Sequence, residues 1–464
     1  MNEFNIIFEK QLQKSRLLRN EKISERASRI RKILRWTLKN RERIIEAVKS
    51  DLGKPKTEAE ISEVYTVTSE ARYVLSNLRS WSLPKKVPTP LPLLGTQSKL
   101  IKEPKGVCLI ISPWNFPFNL TIIPLISCLA AGNTAIVKPS EFSPKSSQLI
   151  EEMICELFTE DIAKVINGDV ETSQQLLELP FHHIFFTGSP QVGKVVMAAA
   201  AKHLSGVTLE LGGKNPVFIS PEASIDDAAK KIIWAKFMNC GQSCVSPDYV
   251  WVEAGKEKEL INRMKYYIHK LYNNGQDDSS YGKIVNEKHF LRLENILEES
   301  KKEGAQIESE GVLDKSKKHI PLTLITGLKP EHFIMREEIF GPLLPVLTYS
   351  HFSEALNTSY DLPKPLVSYL FTNGDKYKKI IQEEFSAGAL VINDCLIHFV
   401  NPELPFGGVN FSGMGKSHGH FGFKEFTNEK AVMTQLRGTG TSLFFHPPFG
   451  GLKRLIVDVL IRWF

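Results

Sequence analysis

The strongest constraint on the fold comes from short runs of residues that are apolar at nearly every position. Residues 107–112 and 134–138 are such runs, and a helix-like stretch that extends through Leu129 separates them. A strand that is apolar on both faces is typical of a parallel sheet covered by helices on both sides. Alternation with helices predicts a doubly wound α/β domain, and a second α/β region is expected after Gly213. Further candidate strands are 164–167, 183–187, 217–219, 249–252, 322–325, 344–349, 368–371 and 390–393.

The size and composition of the chain limit the classes of protein to consider. A chain of 464 residues is too long for one hydrophobic core, so two or three domains are expected. The net charge of +6 is mild and gives no warrant for nucleic-acid binding. We expect neither a secretory signal at the N-terminus nor a membrane-spanning apolar stretch. Six cysteines in so long a chain favour a reducing compartment, such as the cytoplasm. Four of them are interpreted as packing residues: Cys108, Cys128, Cys155 and Cys395.

The chain before the first apolar run has a different pattern. Residues 9–50 repeat apolar positions at helical spacing, and Gly53 and Pro55 then end the helical region. Residues 83–95 are rich in proline, which predicts a loop or an excursion out of the first domain.

Two residues indicate covalent chemistry. Cys244 follows Gly241, Gln242 and Ser243, so little bulk hinders a substrate carbon from reaching its sulfur. Glu210 ends an apolar strand and precedes two glycines. A thiol nucleophile and a carboxylate base suggest covalent catalysis followed by hydrolysis. Read alone, however, Cys244 fits a small core residue better than a nucleophile, and Glu210 fits a solvated strand end. No second pair of nearby ligands accompanies the cysteines, so no metal site is predicted.

The segment Phe186-Thr-Gly-Ser-Pro-Gln-Val-Gly-Lys194 follows a strand and opens a helix. Ser189 suits the N-cap and Pro190 the first helical position, which makes a ready anion site. A phosphate-binding P-loop requires Ser or Thr where Val195 stands, so that interpretation is rejected. The loop is either an ordinary strand–helix turn or a contact for a dinucleotide.

Other polar residues also follow strands. Asn115 lies between aromatic residues and prolines, and its amide is either an oxyanion donor or part of a tight turn. Lys138 and Glu141 are either ligands for ribose hydroxyls or a surface ion pair. Glu338 and Phe340 precede a Gly-Pro break, which read alone is a plain loop.

Together, the ordered motifs resemble the aldehyde dehydrogenase superfamily over roughly residues 20–450. Residues 239–249 and the segment His446-Pro-Pro-Phe449 are similar to its class 3 branch. The resemblance implies a Rossmann-type cofactor domain, a second α/β catalytic domain and a small bridging element, with a homodimer as the assembly. It also implies medium- or long-chain aliphatic or aromatic aldehydes as substrates. The implied boundaries are 1–83 with 104–212 for NAD(P) binding, 213–420 for catalysis, and 84–103 with 421–464 for oligomerisation.

The resemblance also implies roles for individual residues. Cys244 attacks the aldehyde, Asn115 holds the oxyanion, a hydride passes to NAD or NADP, and Glu210 activates the water that hydrolyses the thioester. Glu141 favours NAD, because a carboxylate near the ribose repels a 2′-phosphate. An acylating relative, which passes the thioester to another acceptor, is the alternative, and Glu210 argues against it. The implied cofactor contacts are Trp114, Lys138, Glu141, Gly188, Ser189, Gly193, Leu211, Glu338 and Phe340.

Two departures and the tail concern substrate and partners. The family commonly has Gly-Asn where this chain has Asn410-Phe411, and Tyr where it has Ser417, which suggests a reshaped substrate or interface loop. Residues 451–464 would form a helix with Lys453, Arg454, Asp458 and Arg462 on one stripe. At about 20 Å it is too short to span a bilayer. It either docks on a partner subunit or over the substrate entrance, or contacts a membrane through Trp463 and Phe464.

Overall fold

A computed structural model describes residues 3–93, 95–273, 280–309, 311–436 and 446–463. Within these residues the α-helices are α1 Glu3–Leu18, α2 Ile23–Lys39, α3 Arg41–Leu52, α4 Lys56–Ala59, α5 Thr66–Ser82, α6 Asn119–Ala131, α7 Pro144–Leu157, α8 Val170–Leu177, α9 Pro190–Ala201, α10 Ile225–Phe237, α11 Glu257–Tyr272, α12 Glu287–Lys302, α13 Phe352–Tyr360, α14 Asp375–Glu384, α15 Gly419–Glu425 and α16 Gly451–Trp463. The strands are β1 Lys85–Val87, β2 Thr96–Pro104, β3 Val107–Ile111, β4 Thr134–Lys138, β5 Ala163–Val165, β6 His183–Gly188, β7 Gly206–Leu211, β8 Pro216–Ile219, β9 Tyr249–Glu253, β10 Gln306–Ser309, β11 Thr323–Thr326, β12 Leu343–Tyr349, β13 Val367–Phe371, β14 Ala389–Ile392, β15 Gly413–Met414 and β16 Thr427–Gln435.

The first sheet is the predicted doubly wound one. Its described strands follow the order β15-β7-β6-β3-β4-β5 and run parallel, except that β15 pairs antiparallel with β7. Successive residues of β3 face opposite sides. Leu109 packs with α1, α8 and α9, whereas Ile110 packs with α2, α5 and α6. Helices therefore cover both faces, as the apolar runs predicted.

The second sheet follows the order β10-β11-β12-β9-β8-β13-β14 among the described residues. It is parallel except for the edge strand β10, which pairs antiparallel with β11. The candidate strands of both regions are confirmed to within two residues at each end. Strand β10 escaped prediction because it is a short edge strand without an apolar run.

The third sheet corrects one of the two interpretations of residues 83–95, that of a loop. Strand β1 lies inside that supposed loop and pairs antiparallel with β2, which in turn pairs with β16 over nine residue pairs. Most residues of this sheet are exposed or half-buried, so Lys, Glu and Gln interrupt its apolar pattern. A strand of that composition lacks the signal that revealed the other two sheets.

Two further sequence interpretations have mixed outcomes. Cys108, Cys128 and Cys395 are buried as expected, but Cys155 of α7 is exposed, so its interpretation as a packing residue is wrong. Helix α16 forms where a helix was predicted and most of its apolar side chains are exposed, while Phe464 lies outside the described residues. In the described part of the chain, no helix has both the length and the apolar character needed to cross a bilayer.

The parallel order of the first sheet gathers the candidate polar residues at one edge. Asn115 follows β3, Lys138 ends β4, Ser189 follows β6 and Glu210 lies near the end of β7. The carboxyl ends of parallel strands meet along the same edge, where open α/β sheets bind ligands.

Candidate active site

A cleft of about 340 Å³ lies at this edge and is lined by residues from both α/β regions. All three predicted catalytic residues, Asn115, Glu210 and Cys244, line it. Five of the predicted cofactor residues also line it: Trp114, Gly188, Ser189, Glu338 and Phe340. The other four, Lys138, Glu141, Gly193 and Leu211, do not.

Cys244 lies just after a turn with unusual backbone geometry. Asn239 and Cys240 have φ values of 52° and 54°, and Gly241 has φ of 71°. A side chain at Gly241 would place its Cβ 2.3 Å from the Gly341 carbonyl oxygen, so only glycine fits there. The carbonyl of Cys244 accepts a 2.7 Å hydrogen bond from the Asn215 amide. The turn therefore holds the half-buried thiol in a fixed position at the cleft.

The electrostatics of Cys244 oppose its ionisation. Burial raises the pKa of the thiol well above its usual range, and the carboxyl groups of Glu338 and Glu210 raise it further. The backbone N–H groups of Cys244 and Val245 act in the opposite sense. The thiolate consequently needs a proton acceptor or a nearby positive charge to form.

Asn115 is held by hydrogen bonds on two sides. Its side-chain Nδ2 donates to the backbone carbonyl of Gln242 at 3.1 Å. The backbone carbonyl of Asn115 accepts a hydrogen bond from Asn239 Nδ2 at 2.9 Å. The amide has two hydrogens, of which Gln242 takes one. The second can serve an oxyanion formed beside Cys244.

A buried ion pair supports the same turn. Lys54 Nζ lies 2.9 Å from Glu63 Oε1, and both side chains are completely buried. The same ammonium donates to the Asn115 carbonyl at 3.2 Å, and Glu63 accepts from the Asn119 backbone N–H at 2.9 Å. Lys54 and Glu63 were not singled out in the sequence, because a lysine after a helix end and a helical glutamate normally belong to the surface.

Glu210 is buried, so the interpretation as a solvated strand end is wrong. Its Oε1 accepts a hydrogen bond from Ser417 Oγ, and its Oε2 accepts one from Thr187 Oγ1 at 3.5 Å. Burial raises the pKa of this carboxyl to about 7, while the two hydroxyl groups and the Lys416 ammonium oppose that rise. A carboxyl with a pKa near neutrality is well matched to general-base chemistry.

The loop that follows β6 has the geometry of an anion site. Ser189 caps α9 by accepting a 3.4 Å hydrogen bond from the Val192 backbone N–H, and Pro190 occupies the first helical position. Gly193 and Leu211 lie behind the loop. A Cβ on Gly193 would approach Leu211 Cδ2 to 2.8 Å, so this glycine permits close helix–strand packing instead of lining the cleft.

Lys138 and Glu141 form an ion pair of 2.8 Å near the cleft. The lysine side chain is 3% exposed and the glutamate side chain 31%. The alternative of an ordinary surface pair is therefore wrong for Lys138.

Glu338 lines the cleft and is half-buried. Burial and the nearby Asp248 raise the pKa of its carboxyl group to about 8. Among the described residues, no group of three or more side chains is arranged to hold a metal ion.

Comparison with known proteins agrees with this geometry. Residues 3–432 match the model of the aldehyde dehydrogenase family. The chain belongs to that family. As an aldehyde dehydrogenase it is an oxidoreductase that oxidises aldehydes to carboxylic acids.

The relatives of this aldehyde dehydrogenase include class 3 proteins. The 4,4′-diaponeurosporen-aldehyde dehydrogenase of Staphylococcus aureus is 41% identical over 94% of this chain and 94% of its own length. Aldehyde dehydrogenase family 3 member A2 of Rattus norvegicus is 38% identical over 89% of this chain and 85% of its own. The class 3 resemblance is thereby confirmed.

Solved structures are similar over nearly the whole chain. A substrate-bound Staphylococcus aureus AldH is 39% identical, with a TM-score of 0.94 over 99% of this chain and 100% of that one. A Mycobacterium tuberculosis aldehyde dehydrogenase complexed with NAD⁺ is 25% identical, with a TM-score of 0.82 over 91% of this chain and 87% of that one. The expected aldehyde dehydrogenase-like α/β fold is confirmed.

The cleft of this aldehyde dehydrogenase also contains residues that the sequence did not reveal. His289 of α12 faces Trp114, with ring centroids 5.2 Å apart. Arg292 lies one helical turn further and donates to the carbonyl groups of Glu338 and Ile339. Both belong to a regular amphipathic helix, where no loop motif marks a polar residue as functional. Phe411 lines the cleft too, and its departure from the family pattern was the available signal.

The pKa of Glu210 gives this aldehyde dehydrogenase an expected pH dependence. A base must be deprotonated to accept a proton, so its raised pKa leaves it inactive at low pH. We expect kcat to rise with pH through about 7, in initial rates measured from about pH 5.5 to about pH 9. A kcat that is flat across the neutral range would contradict Glu210 as the base.

Proposed function

We propose that this aldehyde dehydrogenase oxidises apolar aldehydes, medium- or long-chain aliphatic or aromatic, with NAD or NADP through a thioester on Cys244. The observation that carries the proposal is the convergence of Asn115, Glu210 and Cys244 on one cleft with the N-terminus of α9. These groups supply an oxyanion donor, a base, a nucleophile and an anion site. A hydrolase on this site would leave the anion site without use.

In the first half of the reaction, the Cys244 thiol loses its proton to solvent, the thiolate sulfur adds to the aldehyde carbon, and the carbonyl oxygen becomes an oxyanion. Asn115 Nδ2 and a backbone N–H beside Cys244 donate to that oxygen. The oxidised nicotinamide ring, when bound, accepts the hydride that leaves the substrate carbon and provides a positive charge near the thiol. Loss of the hydride restores the carbonyl and leaves a thioester on Cys244.

In the second half, Glu210 takes a proton from a water molecule, and the water oxygen attacks the thioester carbon. The bond between the acyl carbon and the Cys244 sulfur then breaks, which releases the carboxylic acid and leaves a Cys244 thiolate, and the proton on Glu210 passes to that thiolate. A buried base beside the nucleophile can activate water to accept the acyl group. Transfer of the acyl group to another acceptor is therefore not needed to complete the cycle.

Several residues fit the dinucleotide. Gly188 and Ser189 at the N-terminus of α9 suit the pyrophosphate, since helix N-termini favour anions. Lys138 and Glu141 suit the adenosine ribose, and we propose that Glu141 favours NAD because its carboxylate repels a 2′-phosphate. Glu338, with Phe340 beside it, suits the nicotinamide ribose.

The experiment that tests the function compares the parent protein with Cys244→Ala. We expect the parent to form NAD(P)H with hexanal, a long-chain aldehyde and benzaldehyde, and to release acid without any added acceptor. Cys244→Ala should lose this activity, because Cys244 supplies the thiol among the described residues that line the cleft. Cys155→Ala, which removes an exposed thiol that does not line the cleft, is the matched control and should keep parental rates. Comparable turnover in Cys244→Ala would refute the nucleophile.

We further propose a cytoplasmic homodimer with peripheral membrane contact through residues 451–464. Exposed Leu455, Val459 and Trp463 follow one another at a spacing of four and so share one side of α16, and Arg462 lies beside them, which suits the surface of an anionic lipid bilayer. We expect the full chain to float with anionic liposomes and a chain lacking 451–464 to stay in solution. Equal soluble fractions would rule out the membrane contact. Sedimentation of both proteins should give a dimer of the 52.4 kDa chain in each case.

A further inference from the structure

The Glu210 carboxylate lies on β7 and accepts hydrogen bonds from two hydroxyl groups. One comes from the neighbouring strand β6 and the other from the segment that follows the neighbouring strand β15. Thr187 is paired with Glu210 in the β6–β7 register, and Gly413 of β15 is paired with it on the opposite side. Thr187 donates to one carboxylate oxygen, and Ser417, four residues beyond Gly413, donates to the other. Both oxygens are therefore oriented by side chains.

Ser417 is itself fixed in place. It is 3% exposed, and it exchanges two backbone hydrogen bonds with Phe406, of 2.7 Å and 3.3 Å. The neighbouring His418 ring stacks on Phe406 with centroids 4.9 Å apart, and Lys416 Nζ donates to Gly407 and Gly408. The glycine-rich segments 405–408 and 412–415 thus form a rigid support. The backbone of Ser417 is thereby fixed, and its hydroxyl donates to Glu210.

Ser417 itself faces inward, while the expectation that its change reshapes a substrate or interface loop stays a prediction. Its hydroxyl is buried against the base, and no exposed surface of it is left for a partner. The contact of Ser417 with the site is therefore its hydrogen bond to Glu210.

The charged and titratable groups around Glu210 come from three directions. Lys416, on the same loop as Ser417, stabilises the ionised carboxylate, and Glu425 of α15 destabilises it. Cys244 lies on the cleft side, where Glu210 in turn raises the pKa of the thiol. Of the hydrogen bonds that favour the ionised form, that of Ser417 has the larger effect, followed by that of Thr187.

We propose that Ser417 is a positioning residue of aldehyde oxidation, which orients the Glu210 carboxylate toward water and keeps it ionised at neutral pH. The proposal rests on the proposed role of Glu210 as the base for thioester hydrolysis. Ser417 does not touch the substrate and acts only in the second half of the reaction. Formation of the thioester, with its first equivalent of NAD(P)H, is independent of Ser417.

The test measures kcat against pH, and the NAD(P)H burst of the first turnover, for the parent and Ser417→Ala. Hydrogen bonds to charged groups are worth enough to move the pH midpoint of kcat upward by about one unit. At pH 7 that corresponds to about a five-fold lower kcat, with recovery toward the parental value at alkaline pH. The burst amplitude should be unchanged. Ser417→Thr retains the hydroxyl and should restore the parental midpoint.

Ser412→Ala is the matched control. Ser412 belongs to the same glycine-rich support and is fully buried, but its hydroxyl bonds only to Val409 among the contacts of the described residues. Its pH midpoint should stay parental. A Ser417→Ala midpoint equal to the parent's, or a kcat lowered equally at every pH, would overturn the positioning role. The proposed function is tested separately: full turnover in Glu210→Gln would remove Glu210 as the base, whatever Ser417→Ala does.

Discussion

Glu210→Gln is expected to keep the first turnover and lose the later ones. The amide has nearly the same shape as the carboxylate but cannot accept a proton from water, so the thioester on Cys244 would persist. Rapid mixing with hexanal and NAD should give a burst of about one equivalent of NADH, followed by a steady state reduced by about 10²- to 10⁴-fold. The split between the two phases assigns Glu210 to hydrolysis and not to attack on the aldehyde.

The control for this prediction is Glu425→Gln. Glu425 lies in the same neighbourhood and accepts hydrogen bonds from Thr208 Oγ1 and the Lys416 backbone N–H, yet it does not line the cleft. It should keep a steady-state rate of the parental order. Loss of the burst in Glu210→Gln would contradict the assignment, because the base would then be needed before the thioester forms.

Among the variants proposed for this protein, Lys54→Met is expected to cause the largest decrease in the free energy of unfolding. The substitution leaves Glu63 as an uncompensated charge in a site where both side chains are completely buried. Breaking a buried ion pair on one side typically costs about 3–5 kcal/mol in the free energy of unfolding. Urea unfolding followed by circular dichroism measures this difference, and the midpoint should fall accordingly.

Two variants make the Lys54 prediction specific. Lys56→Met breaks an ion pair with Glu42 whose side chains are 59% and 71% exposed, so its effect should stay within about 0.5 kcal/mol. Lys54→Met combined with Glu63→Gln removes both charges and should recover part of the loss. A Lys54→Met protein as stable as Lys56→Met would show that the buried pair does not support the turn at Asn115.

The sequence predicted those strands of the fold that are buried on both faces of their sheet. Strands β3, β4 and β13 are buried at every position, so their apolar runs were visible without any knowledge of their partners. Strands β1 and β16 are largely exposed and β2 is mostly half-buried, and the pairing of β2 with β16 joins segments more than three hundred residues apart. Such pairing leaves no local pattern in the composition of either segment.

The site was predictable where a loop motif marks a residue and not where a helix carries it. Asn115 and Cys244 occupy turns, Glu210 lies near the end of β7 before two glycines, and the structure brings the three together. His289 and Arg292 lie within the regular helix α12, and Lys54 is identifiable only from its burial. The catalytic and cofactor roles, like the domain boundaries at residues 83, 104, 213 and 420, stay predictions.

The most direct measurement is the mass of the peptide that contains Cys244 after Glu210→Gln has reacted with NAD and hexanal. The thioester should accumulate in this variant, because attack and hydride transfer proceed while hydrolysis does not. Acid quenching, digestion and tandem mass spectrometry should find a hexanoyl group on the Cys244 sulfur, and none when NAD is omitted. An unmodified Cys244 after a full burst of NADH, or an acyl group on another side chain, would contradict covalent catalysis by this residue.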